Sequence, residues 1–430
     1  MEEDVHKKAT HQQTRNHNRQ LVLRTIFDQG VVSRADVARL TQLTPVTVSE
    51  LVLELIADNL VREVAQTERE EASTAKPAKL GRRPILLEVA ADQHQIVALR
   101  LAIHEFRGAL LNLNGEFIFS KTIPVGSARG AQAVERLTEL IDELIDRANR
   151  PILGIGVASP GIVDTSNGVV LRSVFFGWRH LPLGDTLRQR YQKVVHVANA
   201  SQVAALAEHL FGSKRSLRNL AVVRVGQDVG AGFVIDGQLF FGDGFGAGEI
   251  GHIVVDEDGE LCACGNRGCL ETKINTAAVL RRAQALASAH PSSPLAQALA
   301  GAEGLSLNAV LTALAADDPL ALRIVHENAG YVGRALASIV GLLNIQHIRL
   351  VGSITQFGDR WLQVLRTTLL ENAIPDLAHH TEVEIAEHGP DAVILGAAAL
   401  LLSRELGLTL AQRISSWQSH DKRNSDLPPS

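Results

Sequence analysis

The stretch ELCACGNRGCLE, Glu260 to Glu271, contains all three cysteines of a chain of 430 residues. Clustered thiols in odd number make no disulfide framework and suit a metal better. His252 stands upstream, so the pattern is H-x9-C-x-C-x4-C through Cys262, Cys264 and Cys269. One imidazole and three thiolates fill a tetrahedral site of the kind Zn²⁺ prefers, with no position left for water. Such a closed site is structural. Gly265 and Gly268 let the backbone turn between ligands. Inert core thiols are the other reading, but Cys-Ala-Cys among Asp, Glu, Asn and Arg is no core strand.

Outward from the cysteines, GAGEIGH (Gly246–His252) carries Glu249, and Glu271 follows Cys269 by two positions. Two carboxylates and an imidazole around one rigid knuckle make a surface for a polyol, because each carboxylate accepts hydrogen bonds from neighbouring hydroxyls.

Further out, strands alternate with helices. ILLEV (Ile85–Val89) reads as a returning strand of the preceding part, and beyond it strands are expected at QIVALRLAI, FRGALLNL, PILGIGVAS, VVHVANA, LAVVRV, VGAGFVI and IRLVGS. HQIVALRLAI and FRGALLNLNGE read as paired strands closed by an Asn114-Gly115 turn. Helices are expected at AVERLTELIDELIDRAN, SQVAALAEHLFG, DAVILGAAALLLSREL and through most of Asn275–Asn344. The pattern predicts an α/β body of two lobes with a cleft, and no short internal repeat is visible.

The N-terminal part differs. LVLRTIFDQG ends on Gly30, SRADVARL opens on Ser33 with Asp36 three residues on, and Thr44-Pro45 opens TPVTVSELVLELIADNL. Three short helices, a strand, a loop and a returning strand describe a winged helix-turn-helix. Its third helix presents Thr44, Pro45, Val46, Thr47 and Ser49 at the end that would enter a DNA major groove, with Val48, Leu51, Val52 and Leu55 as its core stripe. Arg15, Arg19, Arg24, Arg34 and Arg39 are read as available to phosphates. A three-helix protein-interaction module with a solvated arginine face fits the same pattern. GRRP (Gly81–Pro84) favours DNA, since Arg82 and Arg83 beside Gly and Pro form a slim cation suited to a narrow minor groove.

Charge agrees with that placement. The net charge is −5, yet Lys7–Arg39 holds seven basic residues against two acids, and Lys76–Arg83 adds four with no acid. Nucleic acid should therefore be met near the N-terminus. No secretory h-region follows Met1 and no uncharged apolar run reaches spanning length, so a cytoplasmic protein without membrane insertion is expected. The predicted division is a tail over 1–17, a head over 18–90 with a linker over 65–84, a body over 91–410 and a tail over 411–430.

GAGEIGH followed by CACGNRGCLE resembles the signature of the ROK family (repressors, open reading frames, kinases). The resemblance extends to VGQDVGAG, to VASPGIVD and to the late GAAALL helix, and so covers about Ile85 to Leu406. SRADVARLTQLTPVTVSELVLELIADNLV and GRRP resemble the DNA-binding head and linker of the family's sugar-responsive repressor branch. It implies an actin-like, hexokinase-like two-lobe fold with a sugar in the cleft. Glu249, His252, Glu271 and the retained Asn199 would meet sugar hydroxyls, with one His252 nitrogen for the sugar and the other for zinc.

Departures from the family pattern point away from catalysis. Family kinases carry an Asn-Asp pair whose Asp is the general base; here VANASQ puts Ala200 after Asn199, and a methyl group accepts no proton. Where the first phosphate loop carries an acid and glycines, RLAIHE stands, with Arg100 in the acid's place. GQDVG places Gln227 and Asp228 at the second phosphate loop, where an acid would face a polyanion. Phe175 or Phe176 occupies a position where the family often presents Asn, and an aromatic there would stack on a sugar or fill the cleft. The expectation is a non-enzymatic regulator, most simply a repressor of carbohydrate genes. Its partners would be a double-stranded DNA operator and a sugar or sugar-derivative effector, in a homodimer or homotetramer. Control by a protein partner and an ATP-dependent sugar kinase are the alternatives.

Overall fold

The computed structural model describes residues 11–64, 85–212, 217–301 and 304–408. Its head comprises α1 (His11–Gln29), β1 (Val31–Ser33), α2 (Arg34–Thr41), α3 (Pro45–Ala57), β2 (Val61–Val64) and β3 (Leu86–Val89). The strands pair antiparallel in the order β1-β3-β2, which makes the wing. Gly30, at φ +73°, ends α1. Ser33 Oγ accepts the Asp36 N–H at 3.1 Å, and Thr44 Oγ1 accepts the Thr47 N–H at 3.2 Å. The chain bends by 116° between α2 and α3, within the range of helix-turn-helix units. Val48, Leu51, Val52 and Leu55 are buried as the pattern requires, in one core with Val22, Leu23 and Ile26 of α1.

One expectation shifts: α1 begins at His11, inside the segment predicted as tail. Polar composition hid a helix that is pinned by contacts distant in sequence, Arg15 to Glu54 and Arg19 to Asp58 of α3 and its C-cap. The linker over 65–84, with Arg82 and Arg83, and the tail over 411–430 lie outside the described residues.

The first lobe runs β4 (Gln95–Leu101), β5 (Glu105–Leu111), β6 (Phe117–Pro124), α4 (Gly130–Arg147) and β7 (Ile152–Ser159). It continues through β8 (Ile162–Asp164), β9 (Val169–Ser173), β10 (Trp178–Leu181), α5 (Leu183–Tyr191), β11 (Val195–Asn199) and α6 (Ala200–Phe211). Its sheet order is β11-β7-β4-β5-β6, with β4, β7 and β11 parallel and β5 and β6 antiparallel. The Asn114-Gly115 turn lies between β5 and β6; β4 and β5 are joined through Ala102–His104.

The second lobe runs β12 (Leu220–Val225), β13 (Val229–Ile235), β14 (Gln238–Phe240), α7 (Glu271–Ile274), α8 (Thr276–Ala289), α9 (Pro294–Ala300) and α10 (Leu307–Ala315). Then come α11 (Pro319–Leu343), β15 (His347–Val351), α12 (Gly358–Asn372), α13 (Pro375–Ala378), β16 (Glu382–Ile385) and α14 (Ala392–Leu406). Its sheet order is β14-β13-β12-β15-β16. Each lobe is thus an antiparallel three-strand meander extended by two parallel strands, a duplication in strand order that the sequence does not display.

The last helix crosses back to the first lobe. α14 packs on α6 where Gly396 meets the Val203 carbonyl so closely that a Cβ would lie 2.0 Å from its oxygen. The apolar core of α6 and α14 runs on into that of the head, and Gly407 abuts Gln20 of α1. The head is therefore joined to the body by packing as well as by chain.

Candidate functional site

The cysteine knuckle is held by two antiparallel bridges, Val254 with Cys269 and Leu261 with Arg267. Gly268, at φ +67°, is required, because a Cβ there would lie 1.5 Å from the Asp256 carbonyl oxygen. Single donor atoms of His252, Cys262, Cys264 and Cys269 lie within 4.8 Å of one another. Cys262 Sγ is 3.5 Å from His252 Nδ1, and Cys264 Sγ is 3.6 Å from Cys269 Sγ. A tetrahedron with Zn–S near 2.3 Å has S···S edges of about 3.8 Å, so the spacing and the donor chemistry both fit a metal ion. Burial, with Glu271 Oε1 3.0 Å away, pushes the Cys262 thiol up, and a cation at the centre would favour thiolates instead.

The residues expected to meet a polyol converge beside this knuckle. Glu249 precedes a short helical turn, Ile250–His252, which presents His252. His252 Nε2 faces Glu249 Oε2 at 3.6 Å, while its Nδ1 faces Cys262 and Glu271 Oε1, the latter also at 3.6 Å. The two ring nitrogens thus face different ways, Nε2 toward Glu249 and Nδ1 toward Cys262 and Glu271. From the other lobe, Asn199 Nδ2 reaches Glu249 Oε1 at 3.4 Å and the Gly161 carbonyl at 2.8 Å. Asn199, Glu249, His252 and Glu271, expected together, are brought together. Burial pushes the Glu249 carboxyl up, while His252 and Arg224 pull it back.

Ala200 is the first residue of α6 and is buried. Asp228 does not stand free to meet a polyanion, contrary to expectation. Both its oxygens are taken by the Arg224 guanidinium, whose Nη2 lies 2.7 Å from Oδ2. Burial alone would raise the Asp228 carboxyl, but Arg224 outweighs it and holds it low. Arg224 also donates through Nε to Ser201 Oγ at 3.3 Å, tying the lobes. Neither Ser201 nor Arg224 stood out in the sequence, although a lone arginine in the apolar strand LAVVRV was a signal.

Phe176 neither stacks on a ligand nor fills the cleft. It is fully buried against Phe106 and Trp178, at centroid distances of 5.4 and 4.6 Å, in the core under α4. Phe175 is half-buried.

In the head, Thr44, Pro45 and Val46 are exposed at the start of α3, Val46 at 68%. The Ser49 hydroxyl donates to the Pro45 carbonyl at 2.8 Å, and Thr44 and Thr47 hydroxyls lie 2.9 Å apart. The arginines are not free cations. Arg34 pairs with Glu63 at 2.7 Å, Arg39 with Asp36 at 3.0 Å, and Arg24 is buried beside Asp28. The exposed pairs among these contribute little to stability.

A sequence profile of the ROK family matches residues 96–404. The chain belongs to the ROK family. The transcriptional repressor Mlc of Escherichia coli K12 is 30% identical over 390 residues, covering 90% of this chain and 93% of Mlc. A xylose repressor of Caldicellulosiruptor bescii is 28% identical over 393 residues, covering 90% and 95%. Among solved structures, a ROK family transcriptional regulator homologous to Mlc superposes with a TM-score of 0.78 at 27% identity, covering 92% of this chain and 98% of that one. Both lobes and the head fall within these matches. No single described helix is long and apolar enough to cross a membrane.

Proposed function

We infer that this ROK-family chain is a sequence-specific DNA-binding transcriptional repressor of carbohydrate genes whose two-lobe body senses a sugar and does not phosphorylate it. The observation that carries the reading is local. Asn199, Glu249, His252 and Glu271 converge as hydroxyl-binding groups, while buried Ala200 stands where a kinase of the family needs its base. Regulators similar over head and body support the same reading.

Zn²⁺ held by His252, Cys262, Cys264 and Cys269 would supply scaffolding alone, fixing the loop that presents Glu249 and Glu271. The exposed start of α3, with Thr44, Pro45, Val46, Thr47 and Ser49, would read base edges, while Arg34 and the GRRP arginines Arg82 and Arg83 meet phosphates and a minor groove. A homodimer or homotetramer in the cytoplasm would present paired heads to an operator. Sugar closing the cleft would move α6, whose far end and α14 pack on α1, and so change head spacing.

Fluorescence anisotropy on the chain's own promoter DNA, across salt and with a panel of hexoses and N-acetylhexosamines, tests this. Salt-sensitive, sequence-selective binding that a sugar shifts is the expected result; its absence sinks the reading. Control by a protein partner has one observation in its favour, the exposed apolar Ile253, Val254, Val255 and Leu261 on the metal loop. Calorimetric sugar binding abolished by Glu249→Ala would argue against it.

A further inference from the structure

Arg100, on β4, is in register with Ala158 of β7, which is in register with Ala198 of β11. Three parallel strands therefore reach the cleft side by side, followed by Ser159-Pro160-Gly161 and by Asn199-Ala200. Ligands of such sheets sit off these carboxyl ends. The Arg100 side chain is only 22% exposed, and its nearest acid, Glu105, stands 3.6 Å away, beyond hydrogen-bond reach. Among the described residues no hydrogen bond reaches its guanidinium. Arg224, the neighbouring cation, is already occupied by Asp228 and Ser201. Burial, then the repulsion of Arg224, destabilises the charged form of Arg100. One position before Asp228, Gln227 carries a buried Oε1 with no partner.

A half-buried cation without a hydrogen bond, facing a cleft, is a seat for an anion. Ala200 brings no negative charge to the same strand ends. We propose that the effector is an anionic sugar, its hydroxyls held at Glu249, His252 and Glu271 and its phosphate or carboxylate seated on Arg100. The proposal rests on the sugar-sensing reading above and names the class of sugar. The fork of the guanidinium matches both oxyanions. The competing role, a pair with Glu105, leaves Arg100 unsatisfied at the observed separation.

Calorimetry on the full-length, metal-loaded chain decides it. The probes are neutral hexoses and N-acetylhexosamines, their 6-phosphates, the matching uronates, and inorganic phosphate. At least one phosphate or uronate should bind about 10–100-fold tighter than its neutral parent, the range of a charge-assisted hydrogen-bonded pair. Arg100→Met should erase that preference and leave the neutral parent's affinity unchanged, and Arg100→Lys should keep part of it. Thermal melts of each variant confirm folding. Equal binding of neutral and anionic sugars, or a preference that survives Arg100→Met, overturns the proposal. Phosphate binding lost in Arg100→Met yet indifferent to Glu249→Gln would uphold the anion seat and sink the sugar reading. Binding by none of the probes sinks both.

Discussion

Asn199 Nδ2 lies 3.4 Å from Glu249 Oε1, while Asn199 Oδ1 accepts the Ser201 N–H at 2.7 Å. One side chain therefore ends β11, caps α6 and touches the carboxylate assigned to sugar hydroxyls. From this contact α6 runs on to pack against α14, which in turn meets α1.

Removing the carboxylate should separate sensing from DNA binding. Glu249→Ala is expected to weaken the effector about 10–100-fold, the loss of charge-assisted hydrogen bonds worth about 1.5–3 kcal/mol. Operator affinity without sugar should stay within a factor of two or so of wild type, since Glu249 lies in the body. Anisotropy titrations with and without sugar read both numbers. Loss of DNA binding in the sugar-free variant would refute the division of labour.

Restoring the acid should not restore a kinase. Ala200→Asp places a base beside Asn199, yet the Arg224–Asp228 pair and Arg100 still stand where the family resemblance would put the phosphate loops. Coupled assays of ADP release should show no turnover above the blank across the hexose panel. Measurable turnover in this variant would mean that those loops still accept nucleotide.

Stripping the metal, or Cys264→Ser, should loosen the loop that carries Glu249, His252 and Glu271. The melting temperature is expected to fall by roughly 5–10 °C, as a loss of about 2–4 kcal/mol produces in a domain of 150–250 residues. Sugar response should weaken with it, while operator binding by the full chain at 20 °C persists. An unchanged sugar isotherm in the metal-free protein would break the link between knuckle and sensor.

What the sequence revealed was local, and what it concealed was tertiary. The ligand spacing at Cys262, Cys264 and Cys269 and the caps at Ser33 and Thr44 depend on neighbours a few positions away, and both were legible. Arg15 and Arg19 looked free because Glu54 and Asp58, which bind them, lie 39 positions on. Phe176 looked like a cleft residue by position; its true surroundings, Phe106 and Trp178, meet only when β5 and β10 pack. The matching strand orders of the two lobes stayed hidden because they are held in topology, not in shared residues.

Acid should loosen the head-to-body junction through His209. This residue lies near the end of α6, 4% exposed, with its Nδ1 buried and unpartnered. Burial, then the Arg24 cation of α1, keeps the imidazole neutral and pulls its pKa to about 4, against a backbone contact from Leu217 that works the other way. Because the unfolded chain takes up this proton near pH 6.5, the stabilisation is complete above that pH and shrinks as pH falls toward 4. At pH 5 the loss amounts to about 2 kcal/mol, at about 1.4 kcal/mol for each pH unit below 6.5. His209→Gln removes the titration while keeping a polar side chain, so its urea midpoint should fall less than wild type between pH 7.5 and 5. Parallel midpoints for the two proteins across that range would show that His209 is not buried neutral against Arg24.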